Sequence, residues 1–351
     1  MRILYVGDNG DKYNGARFYN SSRRFFNGFI RNGHDVIAVD PKFMAKYLGI
    51  INSRSFGKKP LRKKLLDITA IYRPHMIALM HADMVTPETI QEMRDIVPDA
   101  KVIQINIDPL FSSDNIAKLR SKLSVVDASF ATTGGPTLNR ITTSTAVAAH
   151  IPNAADLSID AGNCAARNTQ EIDLIASVGG VNQDRERERI PLLVEEKLPE
   201  LNFSYHAAPR ANLLWGHAYV DTIANSKMGL NLSHAKIDGH AATAEERHLY
   251  SSDRLAQYMG NGLLTFIQTG NALEDLFSPE EAVFFGSDDE LIEKLAYFHA
   301  NDDARMQVAH NGWQKIHTDY SERRITQFMI DTVFDQKHSH AYAWDTTVFT
   351  G

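Results

Sequence analysis

Along the first half of the chain, short apolar runs alternate with segments of helical period, the pattern of parallel β-α units rather than hairpins. Ile3 to Val6 predicts a strand and Phe18 to Arg31 a helix stopped by Asn32-Gly33. Asp35 to Val39 predicts the next strand. Met76 to Met80 and Lys101 to Ile107 follow as strands. Between them Thr86-Pro87-Glu88 opens a helix with a Thr cap, Pro at the first helical position and an acid in the first turn. Ala128 to Thr132 and Thr145 to Ala149 complete an open sheet of about six strands. Pro152 to Gln170 carries neither period and predicts a linker.

The alternation then restarts. Ile172 to Val178, Asn202 to Tyr205, Met228 to Leu232, Leu263 to Ile267 and Val283 to Phe285 predict strands. Arg185 to Glu196, Asp253 to Met259 and Ala272 to Leu276 predict helices between them. Ser287-Asp288-Asp289-Glu290 is a capping box before a helix whose Leu291, Ile292, Leu295 and Phe298 share a face. Two last helices, Asp302 to Thr318 and Ser321 to Phe334, precede a polar and aromatic tail holding Trp344 and Phe349. The expected class is α/β, with two Rossmann-like domains of parallel sheet at 1–160 and 170–334 and a tail at 335–351.

Composition supports a globular reading: 351 residues, 43% hydrophobic and 23% charged, suit about two domains. A net charge of −6 offers no global field for a polyanion, so nucleic acid is not expected as a partner. Cys164 is the single cysteine, which removes intrachain disulfides and cysteine zinc sites and fits a reducing cytoplasm. The amino terminus has no apolar segment of signal-peptide length, and no run of about 18 apolar residues occurs.

In open α/β sheets the informative residues lie just beyond the carboxyl ends of strands. After the first strand come Asp8 and Asn9, then Arg17 in a glycine-containing loop; a tight turn with a solvated Asp is the alternative reading. His81 and Asp83 follow the third strand and Asp108 the fourth, placing imidazole and carboxylates on one rim where they can orient or deprotonate a hydroxyl. Taken singly, Asp83 and Asp108 also fit turn capping.

In the second half, Gly180 lies in a Gly-Gly pair between strand and helix, with Arg185, Arg187 and Arg189 behind it. The alternating Glu residues mark most of those arginines as a solvated face. Asn231 and Ser233 end a later strand. Ser252 or Asp253 caps the next helix, and Arg254 occupies its first turn, where a cation is disfavoured unless an anion binds. No Asp-x-Asp occurs, so a metal-free site is expected, in which Arg254, with Arg210 or Lys236, would meet an anionic group. Lys58, Lys59, Arg62, Lys63 and Lys64 form one dense basic run, either a solvated helix start or a contact for anionic headgroups or a charged glycan.

Ser226 to Ser233, Ser252 to Leu264, Leu276-Phe277 and the Asp302 to Gly312 ending resemble the nucleotide-sugar half of GT-B glycosyltransferases. The match is to the group that includes the spore-maturation-protein-like enzymes. The amino-terminal half resembles that group only in layout. The resemblance implies a donor held mainly by the second domain and an acceptor by the first, Arg254 on the donor phosphates, and no cofactor beyond the nucleotide-sugar itself. Where such enzymes carry a Glu for the ribose, this chain has Gln257, an uncharged group that can still donate and accept. The expected activity is sugar transfer to a glycan, lipid-linked glycan or protein, in the cytoplasm or at the inner face of the membrane. A nucleotide-sugar epimerase and a non-catalytic nucleotide- or glycan-binding protein are the alternatives. A nicotinamide dehydrogenase is set aside, because neither half carries the glycine fingerprint with its ribose-binding acid.

Overall fold

A computed structural model describes residues 1–10, 14–48, 57–178, 184–207, 213–237 and 239–351. The chain divides into two compact units, one of 1–151 with 322–351 and one of 152–321.

The first unit is built on β1 (Arg2–Val6), β2 (Asp35–Val39), β3 (Met76–Met80), β4 (Lys101–Asn106), β5 (Ala128–Ala131) and β6 (Val147–His150). These strands are parallel, and a final short strand, β14 (Val348–Phe349), adds antiparallel to β6, giving the order β14-β6-β5-β4-β3-β1-β2. Ile3, Leu4, Tyr5 and Val6 are all fully buried, as expected of a strand covered on both faces. The chain leaves β1 toward β2 on one side and returns as β3 on the other. The loops after β1 and β3 therefore flank the topological switch point.

Helices α1 (Ser21–Arg31), α2 (Pro41–Leu48), α3 (Lys58–Tyr72), α4 (Pro87–Ile96) and α5 (Ser113–Arg120) connect these strands. The first helix starts three residues later than its apolar pattern predicts, because Asn20 caps it, its side chain accepting from Arg23 N at 2.7 Å. Thr86 caps α4 as expected, with Pro87 opening the helix.

In the second unit β7 (Ile172–Val178), β8 (Phe203–Ala207), β9 (Ser226–Asn231), β12 (Leu264–Gln268) and β13 (Val283–Phe285) form a parallel sheet of order β13-β12-β9-β7-β8, with its switch point between β7 and β9. A two-stranded hairpin of β10 (Lys236–Ile237) and β11 (His240–Ala241) lies apart from it. The helices are α6 (Glu186–Lys197), α7 (His217–Ala224), α8 (Arg254–Gly260), α9 (Asp288–Ala300) and α10 (Asp302–Asp319). The core joins Leu174, Ala176, Met228, Leu230 and Phe266 of the sheet to Ile190, Val194, Leu291 and Leu295 of the helices. Residues 273–275 make one 3-10 turn where the pattern predicts a helix.

Two boundaries differ from the sequence reading. The 152–170 segment is no linker: Asp156 and Asp160 are fully buried, and Asn153 donates to Ser251 Oγ at 2.9 Å, so its small polar residues knit it into the second unit. The last helix, α11 (Glu322–Val333), packs on α1 rather than ending the second unit. Arg31 pairs with Glu322 at 2.6 Å, and Asn32 Nδ2 donates to Arg323 O and Thr326 Oγ1. The tail follows it: Ser339 N and the Tyr342 hydroxyl both donate to Asp331, and Trp344 stacks edge-on against Phe328.

The α1–α11 contact depends on Gly28, where a Cβ would stand 2.3 Å from Glu322 O. Gly28→Ala is expected to lower stability by about 1–2 kcal/mol, net of its helix-propensity gain. Denaturant titration checks this, and an unchanged midpoint would show that α11 does not bear on Gly28.

Candidate donor and acceptor sites

In the second unit the switch point is ringed by the start of α6, the end of β9 and the start of α8. Arg187, 3% exposed, sits on the inward stripe of α6 with Ile190, Pro191 and Val194, and its Nε donates to Leu232 O at 3.1 Å. Arg254 Nη2 donates to the same carbonyl, also at 3.1 Å. The other end of the Arg187 guanidinium donates to the His234 ring. Two cations thus share one carbonyl beside an imidazole, which accepts only if it is neutral. Burial first, and then the Arg187 and Arg254 charges, push His234 down to about 3. Burial, and next the charge of Arg254, lower Arg187 to about 9.

No carboxylate bridges to Arg254 among the described residues, and its Nε has no hydrogen-bond partner. Asp184, whose charge acts on Arg187, accepts from Ala235 N at 2.7 Å and Lys236 N at 3.2 Å. An anion seated between the guanidiniums would offset their repulsion and satisfy the open donor.

Beside this cluster lies a narrow cleft lined by Asn231, Ser233, Arg247, Thr269 and Asn271. Asn231 Nδ2 and Arg247 Nε are buried without partners in its lining, a donor-rich wall suited to hydroxyl or phosphate oxygens. Of the two cap candidates, Asp253 holds the N-cap position of α8, without a side-chain cap bond, and Ser252 is used elsewhere. Its hydroxyl donates to Asn231 Oδ1 at 2.7 Å, and its N–H donates to Ser233 Oγ at 3.0 Å. Three predicted residues therefore form one network.

Gln257, expected at the ribose, is 3% exposed. Its Oε1 accepts from the Tyr219 hydroxyl and its Nε2 donates to Asp253 at 3.2 Å, which leaves one acceptor lone pair and one N–H of the amide. Lys236 lies exposed on the hairpin. Gly180 and Arg210 lie outside the described residues.

In the first unit the carboxyl ends of β3 and β4 bring His81, Asp83 and Asp108 to one pocket of about 390 Å³, as their positions in the sequence predict. His81 Nδ1 stands 3.7 Å from Asp108 Oδ2, on a backbone with φ of 46°, a conformation rare outside glycine. Asn115, Lys118 and Lys122 join them from α5 and the turn after it. Lys122 is 6% exposed, and burial lowers its pKa. Across the switch point, Asp8 accepts from Gly10 N at 3.0 Å, the tight turn that the alternative reading of this loop expects. Asn9 O accepts from Arg23, while Asn9 Oδ1 is buried without a partner. Arg17 lies partly buried in the turn before α1.

Arg187, Arg247, Lys118 and Lys122 are the residues that sequence reading missed. Arg187 had a visible signal, since it precedes Ile190 and Val194 by three and seven residues and so shares their buried stripe. Arg189, two positions on, is the solvated one, paired with Glu186 and Asp288.

Residues 185–331 match the family model described as glycosyl transferase-like. Among solved structures, an alpha-glucosyltransferase in complex with UDP-glucose and DNA containing an abasic site aligns with TM-score 0.64 at 11% identity, covering 95% of this chain and 99% of that one. Sucrose-phosphate synthase from Thermosynechococcus elongatus aligns with TM-score 0.56 at 12% identity, covering 95% and 98%. Anabaena HepE in complex with UDP and glucose gives 0.53 at 11%, covering 95% and 100%. The fold is that of the GT-B glycosyltransferases. A sequence search of curated proteins finds no match. Within the GT-B frame, the family match begins at α6 and ends in α11, so it takes in Arg187, His234 and Arg254 together.

Proposed function

We propose that this GT-B protein is a glycosyltransferase that takes a sugar from a UDP-sugar and passes it to a hydroxyl of a glycan, lipid-linked glycan or protein. The observation that carries the reading is the pair Arg187 and Arg254 on Leu232 O beside a neutral His234, a preorganised seat for a diphosphate at the second unit's switch point. The UDP-bound state of the structural neighbours supports the choice of nucleotide. The sequence resemblance to the spore-maturation-protein-like group supports the same class.

The two guanidiniums supply the charge that a divalent metal would otherwise supply to the leaving diphosphate, so turnover is proposed to be metal-independent. Asn231, Ser233 and Arg247 hold the remainder of the nucleotide. In the first unit Asp83 and Asp108 receive the acceptor's hydroxyl, one carboxylate taking its proton as the new glycosidic bond forms, with His81 orienting it.

A thermal-shift series with UDP, GDP, ADP and their sugars, with and without EDTA, tests the proposal. A rise in midpoint with UDP or UDP-sugars that survives EDTA is the expected outcome, since only the folded state binds. No shift with any nucleotide would overturn the donor site. Free nucleotide released from UDP-sugar without any acceptor present would point to the epimerase alternative.

A further inference from the structure

We propose that the α2–α3 face of the first unit docks this protein on an anionic phospholipid bilayer. Between Pro41 and Leu66 the chain carries eight basic residues and no acid, within a protein whose net charge is −6. The fold gathers the described part of this segment onto one surface. Gly57, at the head of α3, lies so close to α2 that a Cβ there would fall 1.7 Å from Ala45 O, and Ala45, Leu61 and Leu65 share the core.

With Pro41 and Ala45 turned inward, α2 presents Phe43, Tyr47 and Leu48 outward, at 39%, 73% and 36% exposure. Phe43 and Tyr47 lie nearly parallel, with ring centroids 6.3 Å apart. Lys42, Lys46, Lys58, Lys59 and Lys64 make no ion pair among the described residues, whereas Arg62 and Lys63 are paired with Glu92 and Asp67.

Alongside runs a groove of about 430 Å³. Leu61, Leu65, Met84 and Val85 line its apolar side, and Lys58, Lys59 and Arg62 stand at its polar one. Exposed aromatics beside unpaired lysines and an apolar groove are the chemistry of the headgroup boundary. There the rings enter the interface and the cations meet phosphates. A nucleic acid would use the lysines and could stack on the rings, but would leave the apolar groove and Leu48 unused. No helix of the described residues is long and apolar enough to cross a membrane, so the attachment is peripheral.

The inference stands apart from the donor reading, because none of these residues lines either candidate site. The test is cosedimentation of the whole protein with phosphatidylcholine vesicles, with and without phosphatidylglycerol, at low and high salt. Binding is expected only with phosphatidylglycerol and is expected to fall as salt rises. A lysine near an anionic surface contributes about fivefold in binding, so Lys58→Ala/Lys59→Ala/Lys64→Ala should weaken binding at least about tenfold. Phe43→Ser/Tyr47→Ser should weaken it through the apolar contact, with loss that persists at low salt.

Both variants alter exposed side chains and should keep the wild-type unfolding midpoint and nucleotide response. Absence of binding to phosphatidylglycerol vesicles overturns the proposal, as does binding unaffected in both variants. Tighter binding to an oligonucleotide than to the vesicles, lost in the lysine variant, would overturn it in favour of nucleic acid.

Discussion

Arg254→Ala is expected to weaken binding of a nucleoside diphosphate by about 1.5–3 kcal/mol, the range of a charge-assisted hydrogen bond, and to reduce turnover of the sugar donor at least as much. The structure gives this substitution an unusual sign for stability. Arg254 gives up one hydrogen bond to Leu232 O, but that carbonyl keeps the bond from Arg187 Nε. Removing the second cation also relieves the charge that lowers Arg187 and His234. The variant should therefore unfold at the wild-type midpoint or slightly above it, while losing most of the nucleotide-induced rise. Isothermal titration with UDP beside thermal unfolding separates the two effects. Normal nucleotide affinity in the variant would show that Arg254 belongs to the packing alone.

Acid should destabilise the second unit through His234. Its imidazole is held at about 3 in the folded protein against about 6.5 in an unfolded chain. Between those values the unfolded state binds the extra proton, so stability is fully present above about pH 6.5 and falls as the pH drops toward 3. At pH 4 the loss from this one group is about 3 kcal/mol. His234→Asn keeps a side chain able to accept from Arg187 and has nothing to titrate, so its denaturation midpoint should fall less between pH 6.5 and 4. A bound diphosphate should also raise the His234 value, because its charge opposes those of the two arginines; the ring protons followed by NMR with and without UDP would report this directly. Parallel pH profiles for wild type and variant would place the acid sensitivity elsewhere.

The apolar runs alone determine much of this molecule. Ile3 to Val6 and Met76 to Met80 are strands because continuous apolar residues must be covered on both faces, and that coverage calls for parallel sheets with helices on each side. Caps written in adjacent residues were equally legible: Thr86 closes on Thr89 N, and Ser287 on Glu290 N. From the strand order follows the rim on which His81, Asp83 and Asp108 meet, since each stands just beyond a strand's carboxyl end.

Long-range closure decided the rest. The pattern of α11 states that it has a buried face but not against what; the fit of Gly28 under Glu322 O, the Arg31–Glu322 pair and the Asn32 bonds join it to the first unit. The small polar residues of 152–170 read as a linker because their partners, such as Ser251, lie about a hundred positions away. The alternating Glu residues mark most of the arginines around Arg187 as solvated, yet packing buries Arg187 against Leu232 O and His234, and it buries Gln257 against Tyr219. Local pattern fixes which face of an element is apolar. Which polar groups are buried together, and whether an imidazole among them stays neutral, depends on partners distant in sequence, and those exist only once the chain has folded.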